Sequence, residues 1–144
     1  MYKTYLCIDL KSFYASVECV ELGLDPFEVN LVVADPTRGG GAITLAASPA
    51  IKKLGVSSRG RIYEIDSTIE YMITPPRMHL YMEYSCKVYK VFLEFIAKED
   101  IHVYSIDESF LDVTSYLKLY QISAKELAKK YWIVSMKKQV LQLL

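Results

Sequence analysis

The sequence predicts an α/β (α+β) domain: a split βαβ sheet with helices on one face. Three features carry the prediction. Short apolar runs at 3–9, 31–34 and 101–106 read as buried strands, and helical patterns lie between them. Residues 82–97 place Val88, Tyr89, Phe92, Phe95 and Ile96 on one face of a helix. The stretch Tyr104-Ser105-Ile106-Asp107-Glu108-Ser109-Phe110-Leu111-Asp112-Val113 reads apolar, acidic, apolar, which predicts a β-hairpin with Asp107 and Glu108 at its tip. A hairpin is antiparallel, so it argues against a doubly wound parallel sheet.

The 144 residues suit one domain with a core of its own. Hydrophobic residues make up 52% and charged residues 24%, which excludes a disordered chain. No apolar run approaches the roughly 20 residues of a membrane-crossing helix. Lys3 and Asp9 bracket too short an apolar run for a signal peptide. A cytoplasmic protein with no membrane partner is expected. Cys7, Cys19 and Cys86 form no CxxC pair, so they read as reduced thiols rather than zinc ligands. Net charge is zero, which argues against this chain alone gripping nucleic acid tightly.

In order, the first strand closes at Asp9. Ser12 is the expected N-cap of a helix through Glu21, and Gly23 ends it. The turn Asp9-Leu10-Lys11-Ser12 would present helix N-terminal amides suited to phosphate. Asp35–Gly41 reads as a hairpin turn, because its three glycines lack the Gly-Lys-Ser/Thr of a phosphate loop. Ala42–Ala47 is the returning strand. Ser48-Pro49 opens a short helix with Lys52 and Lys53 that stops at Gly55. Arg59 and Arg61 make a basic turn. Residues 62–64 and 71–73 fit either class, and Pro75-Pro76 breaks what precedes them. Met78–Tyr81 reads as a strand before the 82–97 helix. Ser123 caps a last helix over Ala124–Lys130.

Asp9, Asp107 and Glu108 stand at the ends of two strands, as a site for two divalent cations requires. Mg²⁺ takes few protein ligands, chiefly carboxylates plus substrate phosphates. The Leu10 carbonyl is a further candidate ligand. Glu64, Asp66, Glu70 and Asp112 also lie near strands and stay open as alternatives.

Asp9-Leu10-Lys11-Ser12-Phe13-Tyr14-Ala15-Ser16-Val17-Glu18 resembles the opening motif of the Y-family (UmuC/DinB-like) translesion DNA polymerases. Residues 105–112 resemble their second metal-binding motif, and residues 46–56 the finger segment between the two. The likeness is strongest to UmuC-like proteins of Gram-positive bacteria. It implies a ferredoxin-like palm at about 1–35 and 75–130, with a small finger insertion at about 36–74. It implies that Asp9, Asp107 and Glu108 bind two Mg²⁺ ions, that Tyr14 is a steric gate under the sugar with Phe13 beside it, and that Lys52 contacts the triphosphate. Pro49 replaces a tyrosine common in relatives, and Lys11 replaces a frequent third acid.

The implied activity is error-prone DNA synthesis in damage bypass, DNA repair and the SOS response. Primer–template DNA and dNTP are the implied partners of a full-length parent, and a sliding clamp would bind through a missing C-terminal region. The thumb and DNA-gripping domain of the family are missing, so no primer extension is expected of this chain alone. A non-catalytic fragment that binds a partner or nucleotide is the alternative. A palm-type nucleotide cyclase fits less well, because no Gly-Gly-acid turn stands at Asp107. Residues 131–144 depart from the family pattern, with an unexpected Trp132 and no expected continuation of the helix. They read as an out-of-frame extension of a polymerase gene.

Overall fold

The computed structural model of the chain describes residues 2–137. The order is β1 (Tyr5–Asp9), α1 (Phe13–Glu21), β2 (Leu31–Val33), β3 (Ala46–Ala47), α2 (Pro49–Lys52), β4 (Met72–Thr74), α3 (Met78–Leu93), β5 (Ile101–Val103), β6 (Glu108–Asp112), α4 (Thr114–Tyr120) and α5 (Ala124–Lys137). Short 3₁₀ turns occupy Pro36–Gly41, Ile62–Glu64 and Lys98–Asp100. The fold is mixed α/β. Two compact units divide the described residues: 2–10 with 82–137, and 11–81.

The first unit holds an antiparallel sheet of order β1-β6-β5. Side chains alternate across it, as the strand period of two requires. Tyr5, Cys7 and Asp9 share one face of β1, and Leu6 and Ile8 take the other. On β6, Ser109 and Leu111 are buried while Glu108, Phe110 and Asp112 are half-buried. The hairpin prediction holds with one change of detail. Asp107 lies in the connection, and Glu108 is already the first residue of β6. The amides of Tyr104 and Ser105 both donate to the Glu108 carbonyl at 3.0 Å, which fixes that connection.

Three helical expectations are corrected. Met78–Tyr81 is the first turn of α3, not a strand, and the helix ends at Leu93. Tyr81, Tyr84, Val88, Val91 and Phe92 are all buried, and their three- and four-residue spacing explains the single helix. Helix α4 follows β6 where no element was expected; Asp112 turns the chain into it by accepting bonds from the Thr114 amide (3.1 Å) and hydroxyl (2.7 Å). Helix α5 continues to Lys137, past the expected end at Lys130. Leu127, Tyr131 and Ser135 form a buried stripe at four-residue spacing that carries it on. Its start is the capping box the sequence announced: the Ser123 amide donates to Glu126 Oε2 (2.7 Å) and the Glu126 amide donates to Ser123 Oγ (3.2 Å). The rest of the tail, 138–144, lies outside the described residues.

In the second unit, β2 is central, antiparallel to β3 and parallel to β4. Its three residues are fully buried, as a strand covered on both faces requires. The sequence reading placed α1 and β2 with the first strand's sheet. They cluster instead with this second sheet, because α1 lies against β2 and β3. Val32, Ala47 and Ile51 form the local core, and Ile62, Ile65, Ile69 and Tyr71 pack on it. The expected strand at 42–47 shortens to Ala46–Ala47, since Ile43 pairs with Arg61 instead. The 35–41 segment is a 3₁₀ turn rather than a tight hairpin turn. The Asp35 carboxylate accepts from the Thr37 amide (3.0 Å) and hydroxyl (2.6 Å) and starts it. Gly23 ends α1 in a left-handed conformation (φ 70°). Its amide donates to Val20 (3.0 Å) and that of Leu24 to Cys19 (2.8 Å), a Schellman motif.

Among the described residues, no helix is long and apolar enough to cross a membrane.

Candidate active site

Of the three acids singled out in the sequence, two come together in the first unit, and the third, Asp107, directly precedes one of them in the chain. Asp9 ends β1, Glu108 begins β6, and the two are Cα partners in the antiparallel register. Residues so paired hold their Cβ atoms roughly 5 Å apart on one face. Asp107 is adjacent, and the Leu10 amide donates to its carbonyl at 2.9 Å, which extends the pairing beyond the strand end. The Asp107 carboxylate is itself held: Ser105 Oγ donates to Oδ1 at 2.8 Å. Ser85 Oγ donates to the Ile106 carbonyl at 2.6 Å and ties the same turn to α3. A largely apolar cavity of about 180 Å³ lies beneath, lined by Leu10, Ile106, Asp107, Val88, Tyr89 and Phe92 among others. Asp107 thus sits on a turn anchored from two sides.

Cys7 reports the charge of this face. Its thiol lies 3.8 Å from Glu108 Oε1. Partial desolvation, then the charge and hydrogen bond of Glu108, then the charge of Asp9 push the Cys7 thiol up. It is therefore a neutral neighbour of two acids. The donor set is entirely carboxylate oxygen, the hard donor type that Mg²⁺ takes and soft ions do not. Among the described residues, no group of three or more His, Cys, Asp or Glu side chains is already arranged to hold a metal ion. The pair Asp9–Glu108 suits the sparse coordination of Mg²⁺, which takes one or two carboxylates and draws its other ligands from water and phosphate.

The alternative acids are placed otherwise. Asp112 shares the Glu108 face, but four residues along β6 set it roughly 13 Å away. Asp66 accepts from the Thr68 amide (2.8 Å) and hydroxyl (2.7 Å) in a loop of the second unit, where Glu64 and Glu70 are also exposed.

The remaining expected residues belong to the second unit. Phe13, the first residue of α1, is buried, and Tyr14 is half-buried. Ser12 holds the N-cap position, but it does so in a left-handed conformation (φ 54°) with no side-chain capping bond. The expected serine cap is thus corrected: its side chain points no acceptor at the first-turn amides. Such a conformation costs a non-glycine residue about 1 kcal/mol. Lys52 is the exposed last residue of α2. The start of α2 is firm, because Ser48 Oγ accepts from the Leu31 (3.1 Å) and Ile51 (3.4 Å) amides and donates to the Val29 carbonyl (2.7 Å).

Sequence reasoning missed one polar cluster here. Glu18 is 2% exposed, and its carboxylate accepts bonds from Tyr81 Oη (2.7 Å) and from Nε (3.0 Å) and Nη2 of Arg77. The Tyr14 ring stacks on Tyr81, with centroids 4.4 Å apart and planes at 12°. Burial, and next the bond to Glu18, push the Tyr81 phenol up. Cys19 beside Glu18 is also buried, and burial, then Asp25 and Glu18, push its thiol up to about 11. The signal for the cluster was a lone acid on the apolar face of α1.

Three comparisons bear on this geometry. The family model of the impB/mucB/samB family matches residues 8–144. "Putative UV-damage repair protein UvrX" of Bacillus subtilis (strain 168) is 44% identical over 111 residues, which are 76% of this chain and 27% of that protein. "DNA repair protein homolog YozK" of the same organism is 42% identical over 103 residues, 71% of this chain and 90% of that protein. A solved Y-family DNA polymerase chimera superposes with a TM-score of 0.77 at 25% identity, covering 93% of this chain and 39% of its own. The chain thus spans about a quarter of the first relative and most of the second. The chain belongs to the impB/mucB/samB family, the UmuC/DinB-like proteins of the Y-family polymerases.

Proposed function

We propose that the chain carries the N-terminal catalytic part of an error-prone Y-family DNA polymerase for damage bypass. The observation that carries this reading is the register that sets Asp9 opposite Glu108, with Asp107 on the anchored turn beside them. The first unit then acts as palm, and the loops between about 36 and 74 act as finger. Asp9, Asp107 and Glu108, with the Leu10 carbonyl, are the residues to hold two Mg²⁺ ions. When bound, such ions polarise phosphoryl oxygens and stabilise the charge of an in-line displacement.

This chain's own residues supply position. The anchored Asp107 turn keeps the carboxylates aimed without the cost of ordering them at each turnover. In the second unit, Tyr14 excludes a sugar 2′-hydroxyl, Phe13 backs it, and Lys52 offers its ammonium to the triphosphate. Primer–template DNA and dNTP are the partners, with a sliding clamp engaged through other parts of a longer protein. DNA repair within an SOS response is the setting, and the free thiols Cys7, Cys19 and Cys86 suit the reducing cytoplasm.

Nucleotide binding tests the reading more directly than synthesis does, because the chain spans 27% of its UvrX relative. Titration calorimetry with Mn²⁺ and a dNTP should give saturable, metal-dependent binding. Asp107→Asn and Glu108→Gln should each weaken it by about tenfold or more, as expected for charge-assisted metal ligation. Equal binding with and without Mn²⁺, or wild-type binding by both variants, sinks the reading and favours a non-catalytic binding role.

A further inference from the structure

The second unit contains an aromatic stack whose far end is tied to a buried charge. Tyr14 and Glu18 lie one turn apart on α1, four residues in sequence. Arg77 and Tyr81 are likewise four residues apart at the start of α3. The two pairs meet: Tyr14 stacks on Tyr81, and Glu18 takes bonds from both Tyr81 and Arg77.

Packing does not require this arrangement. A buried carboxylate is costly unless it is satisfied, and an apolar residue at 18 would fill the same volume with less risk. What the carboxylate adds is direction. An aromatic ring held only by van der Waals contact slides and tilts over its neighbour at little cost, since offset geometries differ by fractions of a kcal/mol. The Tyr81 ring lacks that freedom. It is fully buried and its hydroxyl is tied to Glu18 Oε1, which fixes the ring's long axis. Arg77 fixes Glu18 in turn by engaging both oxygens. The near-parallel contact then passes the orientation to Tyr14, the half-buried member of the set.

We propose that Glu18 is a positioning residue for Tyr14, acting through Tyr81 and held in place by Arg77, so that sugar discrimination depends on a carboxylate that touches no nucleotide. The functional half of this statement rests on the reading of Tyr14 as the sugar gate.

The test uses the full chain with ¹³C-labelled tyrosine, the Tyr14 ring signal being assigned with Tyr14→Phe. Tyr81→Leu removes the stack and sets the unstacked position of that signal. Glu18→Gln and Tyr81→Phe should both move the Tyr14 signal toward that position while far-UV circular dichroism stays native. Tyr81→Phe keeps the ring and deletes one hydroxyl, so it decides the matter alone if Glu18→Gln does not fold. An unmoved Tyr14 signal overturns the proposal, because a merely structural ion pair would leave it there.

The second arm compares Mn²⁺-dependent binding of a ribonucleotide and the matching deoxyribonucleotide. Tyr14→Ala should abolish the preference. Glu18→Gln and Tyr81→Phe should narrow it by about threefold or more, with deoxynucleotide affinity within about twofold of wild type. A preference that responds to Tyr14→Ala but not to Tyr81→Phe overturns the proposal. A preference indifferent to Tyr14→Ala overturns the sugar-gate reading instead, and the ring signal then decides the positioning claim.

Discussion

Asp9 and Glu108 face each other on one rung of the β1–β6 ladder, so two like charges oppose across a sheet. Such pairs destabilise a strand pair, by an amount within the ~0.2–1 kcal/mol range of cross-strand effects. A sheet built for stability alone would alternate the signs. Glu108→Gln should therefore raise the melting temperature of the metal-free protein by a few degrees, since about 1 kcal/mol moves a domain of this size by roughly 2–8 °C. With excess Mn²⁺ the order should reverse, because a cation that binds only the folded state stabilises it by mass action. Thermal melts with EDTA and with Mn²⁺ check this. A variant less stable than wild type in EDTA removes the idea that the pair is strained.

Acid should act through carboxylates that the fold has tied to hydroxyls and amides. The Thr114 hydroxyl, and after it the Thr114 amide, hold the Asp112 carboxyl below its usual range. Thr37 does the same for Asp35, and the Thr68 amide and hydroxyl for Asp66. The sign follows from linkage. A folded-state pKa below the unfolded value gives stability that is full above the unfolded pKa, about 4 for Asp, and is lost as pH falls through the folded value. Melting temperature should hold steady down to about pH 5 and then fall between roughly pH 4 and pH 2. Thr114→Val should flatten part of that fall by removing the hydroxyl while leaving the amide bond. An acid limb as steep in Thr114→Val as in wild type assigns the loss elsewhere.

What was legible in the sequence follows from how locally each feature is encoded. The Asp107–Glu108 hairpin showed because apolar strand residues flank it directly. The α5 start showed because Ser123 and Glu126 cap each other across three residues. Met78–Tyr81 was misread, since four residues after two prolines are too few to display a helical period, and only Tyr81 and Tyr84 together reveal the buried stripe. The strand at 42–47 was overextended because its apolar run continues through Ile43, whose partner Arg61 lies in a distant turn. Glu18 showed only as an acid on the apolar face of α1, with nothing to name its partners. Its partners are 59 and 63 residues away, and no local pattern announces an ion pair closed over that distance.

That ion pair should show the asymmetry of buried charge. The Glu18 side chain is 2% exposed and the Arg77 side chain 49% exposed, so the carboxylate is the group at risk. Arg77→Met leaves it with the Tyr81 hydroxyl as its remaining partner in the trio and should cost about 2 kcal/mol, below the 3–5 seen when both charges are buried. Removing both charges together, Glu18→Met with Arg77→Met, should cost less than Arg77→Met alone, because no charge is then left unpaired. Urea unfolding of Arg77→Met, Glu18→Met and the double variant measures this. A double variant that loses the sum of the separate losses would show that the pair is not coupled.

Tyr131 should be improved by losing its hydroxyl. The ring is buried and meets Phe92 and Phe95 edge-on, with centroids 5.8 and 4.9 Å away. Its oxygen is buried too and finds no hydrogen-bond partner among the described residues. Burial pushes the phenol up, so it stays neutral at any ordinary pH and gains nothing by ionising. A buried hydroxyl without a partner costs about 1–3 kcal/mol relative to water. Tyr131→Phe keeps both edge contacts and removes that cost, so it should stabilise the chain by about 1 kcal/mol. Tyr131→Ala deletes the ring and should destabilise it by about 3–5 kcal/mol. The opposite signs make the pair diagnostic in urea unfolding. If Tyr131→Phe destabilises as well, the hydroxyl has a partner, and a water bridging to it within the Phe92–Phe95 cluster is the first place to look.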